Sequence, residues 1–152
     1  MKKAAVAAAA LVGVTAFTGA SVAPAATPSP AVKAAHTLRW MLTETGSHNV
    51  AKNGFVGTDV IRSVRTGKIV GYDSTTGVFF PKAHAARIQV AAAVNRGILV
   101  GQVHGRFTSN DVVFHGKILR GTGKFAGAEG TITAQPRGSE GQRTLVIIHY
   151  TV

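Results

Sequence analysis

The sequence predicts an all-β protein in which about eight antiparallel strands form one barrel domain. Two observations carry this prediction. Almost every segment after residue 36 has apolar side chains at alternate positions, or a short apolar run bounded by Gly, Asn, Asp or Pro, which is the pattern of a strand. The 3.6-residue period of a helix is absent from the same region.

Turn residues separate the predicted strands. Asn95-Arg96-Gly97 and Ser109-Asn110-Asp111 are so short that their flanking strands must be antiparallel, because parallel pairing needs a long crossover. We also expect turns at Thr45-Gly46-Ser47, Thr66-Gly67-Lys68, Ser74–Gly77 and Arg137-Gly138-Ser139. The strands are then expected near residues 36–43, 55–63, 68–73, 77–80, 86–94, 98–107, 112–119, 131–135 and 144–152. Such a meander is expected to close into a barrel, which removes exposed strand edges.

The alternation also predicts which side chains face the interior. One face of the strand near residues 98–107 and one face of its hairpin partner are apolar, and their residues are Leu99, Gly101, Val103, Gly105, Phe107, Val112, Phe114, Gly116 and Ile118. The glycines in this set either tighten the curvature of the barrel or leave room for a ligand, and the sequence is compatible with both.

The N-terminal 25 residues have the pattern of a secretory signal peptide. Lys2 and Lys3 precede an uncharged apolar stretch from Ala4 to Gly19, and small residues follow up to Ala23-Pro24-Ala25. We therefore expect a signal peptide over 1–25, a flexible lead-in over 26–35 and the barrel domain over 36–152. The mature protein is expected to be secreted, and no Cys is present to carry a lipid anchor.

The net charge of the chain is strongly positive, which favours anionic binding partners but does not identify one. The net charge is +11, of which Lys2 and Lys3 supply two, so the mature part carries +9. Such an excess attracts anionic polymers of the cell envelope, although Lys and Arg scattered singly are equally typical of a solvated surface. The sequence lacks the Gly-x-Ser-x-Gly motif that forms the nucleophile elbow of many hydrolases. It also lacks the aromatic residues interspersed with Lys and Arg that are typical of nucleic-acid-binding proteins.

Two acidic residues are candidates for chemistry. Asp59 shares one face of its predicted strand with Phe55, Gly57 and Ile61, so it faces inward if Phe55 does; there its pKa would rise and it could act as an acid or base. The opposite register leaves Asp59 in solvent, and we favour it because a buried charge without a partner is unfavourable. Glu44 follows the first strand and lies either at the barrel mouth or in solvent.

Aromatic residues are the candidates for ligand binding, because large rings line small-molecule cavities and tyrosine hydroxyls orient a ligand. The set comprises Trp40, Tyr72, Phe114 and Tyr150, each of which is also a candidate core residue. His104, His115 and His149 do not have the spacing of metal ligands, so we expect no metal site.

A glycine-rich segment carries a family resemblance. Gly121 to Gly130 reads GTGKFAGAEG, which resembles the motif G-T-G-x-F-x-x-A-x-G of dirigent proteins, allene oxide cyclases and their bacterial barrel-like relatives. The resemblance extends over about residues 37–152 and includes Gly71-Tyr72-Asp73 and the last strand ending His149-Tyr150-Thr151-Val152. In physical terms, the glycines allow a sharp turn between two strands while Phe125 packs beneath it.

The resemblance implies an eight-stranded, calycin-like barrel, often trimeric, with an apolar cavity where a reactive small molecule is cyclised or isomerised without a cofactor. Plant dirigents have an acid and an Arg near the glycine-rich hairpin, where this chain has Gly105 and Phe114. We therefore expect a cavity that acts through shape more than through acid and base chemistry.

Two functions follow from these observations. The first is a secreted barrel that binds a hydrophobic small molecule and guides a cyclisation or isomerisation. The second is a non-enzymatic cationic protein that associates with the envelope and oligomerises through outward positions such as Ala91 and Ala93. An open interior favours the first, and an interior filled by Phe107, Phe114 and Phe125 favours the second.

Overall fold

The computed structural model describes residues 33–107, 112–138 and 142–152. These residues form a closed antiparallel barrel of eight strands, each paired with its neighbours in chain order and the first paired with the last. The predicted fold class is confirmed. The strands are β1 (Ala35–Ala51), β2 (Gly54–Ser63), β3 (Ile69–Phe80), β4 (Ala85–Val94), β5 (Gly97–Arg106), β6 (Phe114–Gly121), β7 (Glu129–Arg137) and β8 (Arg143–Thr151).

Part of the sequence-based prediction lies outside the described residues. This applies to the signal peptide, to the lead-in up to residue 32 and to the turn at Ser109-Asn110-Asp111. β1 begins at Ala35, one residue before the predicted start of the barrel domain. In the described ranges, no helix is long and apolar enough to cross a membrane.

Alternate side chains of each strand face the barrel interior, because successive residues of a strand point to opposite faces. On β4, Ala86, Ile88 and Ala92 are buried or half-buried, whereas the intervening Arg87 and Gln89 are exposed. The core therefore lines the inside of the barrel and receives residues from neighbouring strands all around it.

The hairpin between β4 and β5 has the turn that the sequence predicts. Asn95 and Arg96 have φ angles of 41° and 71°. Positive φ at both central residues is typical of two-residue turns whose twist matches that of the flanking strands. This turn fixes the β4–β5 register, in which Val94 lies opposite Gly97.

Two other predicted turns are wrong. Residues Ser74–Gly77 lie inside β3, where they pair with β2 on one side and β4 on the other. The β-branched Thr75 and Thr76 suit a strand paired on both edges, and this pairing outweighs the local turn signal. Thr45-Gly46-Ser47 lies inside β1, which has an irregular register between Glu44 and Gly46. The glycine there marks a bulge rather than the end of the strand.

One end of the barrel is closed by Phe125. A 3₁₀ turn at Gly123–Phe125 connects β6 to β7, and Gly123 has a φ of 58°, which favours glycine. The Phe125 ring is fully buried and packs edge-on against Tyr150, with 5.8 Å between the ring centroids. The predicted role of the glycine-rich segment, a sharp turn with Phe125 packed beneath it, is confirmed.

The inward glycines serve close packing. A Cβ at Gly116 would collide with the backbone of Gln102 on β5, and a Cβ at Gly101 would collide with the Ile132 side chain. These two glycines therefore let neighbouring strands and side chains approach, and the space beside them is already occupied.

We expect Phe125→Ala to lower the free energy of unfolding by about 3–5 kcal/mol, because it removes a fully buried ring. Phe80→Ala is the matched control, since Phe80 is 42% exposed and its loss should change stability by about 1 kcal/mol or less. Urea denaturation of both variants measures the difference. Equal losses would show that Phe125 does not close the barrel end as described.

Candidate functional site

The barrel contains a cavity of about 330 Å³ to which all eight strands contribute side chains. Its walls are mainly apolar, with Trp40, Leu42 and Val103 among the buried lining residues. Phe79 and Phe107 also line it and are each 39% exposed, so the cavity reaches the surface at the end opposite Phe125. The volume lies in the range of about 300–1,000 Å³ that is typical of small-molecule sites.

Four phenylalanines form a continuous aromatic group at this open end, which we call the aromatic collar: Phe55, Phe79, Phe107 and Phe114. The Phe55 and Phe79 rings are stacked with centroids 5.0 Å apart, and Phe107 is 6.0 Å from Phe79. Phe114 meets Phe107 edge-on at 6.1 Å. A ligand that enters the cavity passes these rings, which can stack against a flat molecule.

Three carboxyl groups interrupt the apolar wall, and we call them the acid row. Glu44 on β1 pairs with Asp59 on β2, which in turn pairs with Asp73 on β3, and all three line the cavity. Side chains directly opposite each other in antiparallel strands have Cβ atoms about 4.5–5.5 Å apart. Glu44 is exposed, Asp59 is half-buried and Asp73 is buried, so the acid row runs from solvent into the barrel.

Asp73 is the most unusual member of the acid row. Its side chain is 6% exposed, and neither carboxyl oxygen has a hydrogen-bond partner among the described residues. Burial raises the pKa of Asp73 to about 8, and the neighbouring Asp59 carboxyl contributes to the increase. Asp73 therefore holds a proton at neutral pH.

The pKa of Asp59, which is less buried than Asp73, is also raised. Burial raises the pKa of Asp59, the neighbouring Asp73 opposes the increase, and the negative charge of Glu44 adds to it. Two adjacent carboxyls with raised pKa values can hold and exchange a proton near neutral pH, which is the property required of acid and base catalysts.

The structure separates the predicted ligand-binding residues into two groups. Trp40 and Phe114 are buried and line the cavity. Tyr72 is 60% exposed on the outer surface, so the prediction that it lines the interior is wrong: its neighbour Asp73 occupies the inward position of β3. Tyr150 is half-buried between His36 and Phe125 and is not part of the cavity wall.

The acidic residues also required a correction. Asp59 faces inward, together with Phe55, so the solvent-facing register that we favoured is wrong. Glu44 lines the cavity and is exposed, as expected of a residue at the barrel mouth. The cavity wall is thus not as free of acids as the comparison with plant dirigents suggested.

Sequence reasoning missed Asp73, Phe55, Phe79 and Phe107 as candidate site residues. The predicted turn at Ser74–Gly77, which the structure does not have, puts Asp73 at the end of a strand. A continuous β3 would have shown Asp73, Thr75 and Phe79 on one face, and that two-residue period was the available signal.

Two of the three histidines considered in the sequence lie on neighbouring strands. His104 on β5 and His115 on β6 lie opposite each other and are both exposed. Within the ranges that the structure describes, no group of three His, Asp or Glu side chains is arranged to hold a metal ion.

No protein-family model and no curated protein matches this chain. Solved structures do match. The barrel aligns with pyocyanin demethylase at a TM-score of 0.62 and 17% identity, over 76% of this chain and 100% of that chain. It aligns with the pterocarpan synthase dirigent protein GePTS1 at 0.62 and 17%, over 87% of this chain and 97% of the other. The exo-specific intermolecular Diels-Alderase AbnU aligns at 0.64 and 12%, over 80% and 99%.

The chain has the allene oxide cyclase and dirigent-like barrel fold. The resemblance drawn from the glycine-rich segment is therefore confirmed as far as the fold is concerned. At these identities the comparison is one of architecture, and the residues of the dirigent-like barrel described above are this chain's own.

The stability of this dirigent-like barrel should fall as pH rises from about 4 to about 8. In this interval folded Asp73 keeps a proton, because its pKa is about 8, whereas the unfolded chain, with a pKa of about 3.9, releases it. Asp73→Asn imitates the protonated form, so the variant should lose most of this decline and be more stable than the wild type above pH 8.

Melting temperatures measured between about pH 5 and pH 9 test the prediction. Glu129→Gln is the control, because the Glu129 side chain is 77% exposed and the variant should keep the wild-type pH dependence. A wild-type slope in Asp73→Asn would contradict the assignment.

Proposed function

We propose that this chain is an exported barrel protein that binds a hydrophobic small molecule in its interior and guides a cofactor-free cyclisation or isomerisation of it. Export rests on the signal-peptide pattern of residues 1–25. Binding rests on the cavity of about 330 Å³, which is apolar, open at the aromatic collar and supplied with polar groups by the acid row.

The combination of an apolar cavity and the acid row is the observation that carries the proposal. A wall of aliphatic and aromatic side chains holds a ligand in one shape, and reacting carbon atoms held close together react faster. The carboxyls add what an apolar wall lacks, because Asp73 retains a proton at neutral pH and Asp59 can accept one.

In the proposed reaction, Asp73 donates its proton to a basic atom of the ligand, and the ligand acquires a positive charge. Asp59 then removes a proton from another ligand atom, so the product has the same composition as the substrate. Proton transfer from Asp59 to Asp73 restores the starting state, since the two residues lie opposite each other on β2 and β3. Aromatic rings beside the ligand stabilise the transient positive charge.

The structural comparisons support this class of chemistry. Two of the aligned proteins are named for ring-forming or stereochemically controlled synthesis, a Diels-Alderase and a pterocarpan synthase dirigent protein.

The alternative, a purely structural envelope protein, was expected to have a filled interior. Phe107 and Phe114 lie in the wall of the cavity and leave a volume of about 330 Å³ unfilled.

A cavity-filling substitution tests the binding part of the proposal. Ala92 lines the cavity and Ala91 points outward from the same strand. We expect Ala92→Leu to weaken binding of apolar compounds by about tenfold or more, because it removes ligand space, and Ala91→Leu to leave binding unchanged. Quenching of the fluorescence of Trp40, the single tryptophan of the chain, reports occupancy.

Ligand binding outside the cavity would be revealed by equal affinities for the two variants. Circular dichroism and melting temperatures of both variants establish that they are folded. A hydrophobic compound panel in which no member changes Trp40 fluorescence would contradict the binding proposal itself.

Native mass spectrometry of the protein recovered from its own culture medium tests export and ligand together. We expect a chain that begins near residue 26 and carries a retained apolar metabolite. A chain that is found only inside cells with residues 1–25 intact would contradict export. The same spectrum reports whether the protein is a trimer, as the family resemblance implies.

A further inference from the structure

We propose that the cavity selects flat aromatic ligands that carry a positive charge or a protonatable nitrogen, and that Asp59 and Asp73 hold this charge. The inference rests on the proposed function, because it names the ligand class for the same cavity. It follows from the distribution of charge, from the unpartnered Asp73 carboxyl and from the position of the aromatic collar.

Charge is divided unevenly between the two sides of the barrel wall. The chain has 17 Lys and Arg residues but only six Asp and Glu residues. Three of those six acids, Glu44, Asp59 and Asp73, line the cavity, and the described lining residues include no Lys, Arg or His. The interior of this basic protein therefore offers a ligand only acidic ionisable groups, and a positive charge is their complement.

Asp73 adds an independent observation. Its side chain is 94% buried, as follows from its 6% exposure, it points into the cavity, and neither oxygen is hydrogen-bonded within the described residues. Buried polar groups are almost always paired, because an unpaired one loses its hydrogen bonds to water without replacing them. A cationic nitrogen placed beside Asp59 and Asp73 would give the buried Asp73 oxygens a charged partner and would neutralise the negative charge of the pair.

The aromatic collar is suited to the flat ring of the proposed ligand, as the carboxyls are to its positive charge. Phe55 precedes Asp59 on the inward face of β2, and Phe79 follows Asp73 on the inward face of β3. These two members of the collar therefore lie on the same strands as Asp59 and Asp73 and nearer the open end. Phenylalanine faces stack against flat rings and attract cations, so an aromatic cation satisfies the collar and the acid row together.

A pH dependence distinguishes this ligand class from a neutral one. The groups that face Asp73 are Asp59 from β2, with Glu44 beyond it on β1, and the uncharged Ala92 from β4. A permanent cation binds best to ionised Asp73, so its binding expels the Asp73 proton. Its affinity should therefore rise by up to about tenfold per pH unit as the pH approaches the Asp73 pKa of about 8, and then level off.

The experiment compares two probes of the same shape, N-methylquinolinium, a permanent cation, and methylnaphthalene, its neutral hydrocarbon counterpart. NMR titration follows the indole N–H signal of Trp40, which is a single resonance because the chain has one tryptophan. Titrations are run at about pH 6 and about pH 9 in physiological salt, which screens the basic outer surface. The proteins are the wild type, Asp73→Asn, Asp59→Asn and the exposed control Glu129→Gln.

We expect N-methylquinolinium to bind the wild type at least about tenfold more tightly at the higher pH than at the lower, and methylnaphthalene to bind equally at both. Asp73→Asn should abolish the pH dependence and weaken only the cation, and Asp59→Asn should weaken the cation as well. Glu129→Gln should match the wild type.

Two results overturn the inference while leaving the proposed function in place: methylnaphthalene binding as tightly as the cation at the higher pH, or cation binding that is unaffected by pH and by both Asp variants. If neither probe nor any compound of the hydrophobic panel binds, the proposed function fails and the inference fails with it. The wild-type pH comparison needs no substitution, so the test does not depend on whether a variant folds.

Discussion

Closure of the sheet between β1 and β8 is the constraint on which the rest of this structure depends. Once the sheet is closed, every second side chain must lie inside the barrel, whatever its chemistry. Most inward positions hold apolar residues, as the hydrophobic effect requires. The same geometry brings Glu44, Asp59 and Asp73 into one cavity, where burial changes the acidity of the two aspartates. A site with unusual acid chemistry thus arises from backbone geometry that a single strand could not impose.

The two ends of the barrel have different roles. Phe125 fills one end and contributes stability, whereas the aromatic collar surrounds the other and leaves a passage. The acid row links the open end to the interior, because its three members lie on adjacent strands and become progressively less exposed. The closed end and the open end therefore depend on different aromatic residues, although both depend on the same closed sheet.

Much of the fold could be predicted from sequence, because the two-residue period and the Asn95-Arg96 turn are local signals. The glycine-rich segment also identified the barrel type, because its glycines are required by a sharp turn and close packing around Phe125. The site was harder to predict. Ser74–Gly77 resembles a turn and becomes strand through pairing with β2 and β4, and such pairing is not encoded in any short window. Without that pairing, the inward position of Asp73 could not be predicted, and neither could the acid row.

The continuity of β3 also bears on how related sequences are compared. Asp73, Thr75 and Phe79 face inward because their positions along β3 differ by even numbers, while Tyr72 and Ser74, on either side of Asp73, face outward. One residue gained or lost within β3 would exchange these two sets and replace a carboxyl interior with a phenol or a hydroxyl. An alignment that allows a single-residue gap in this strand would therefore equate inner positions of one barrel with outer positions of another. For such barrels, strand parity is a better guide to shared chemistry than percentage identity.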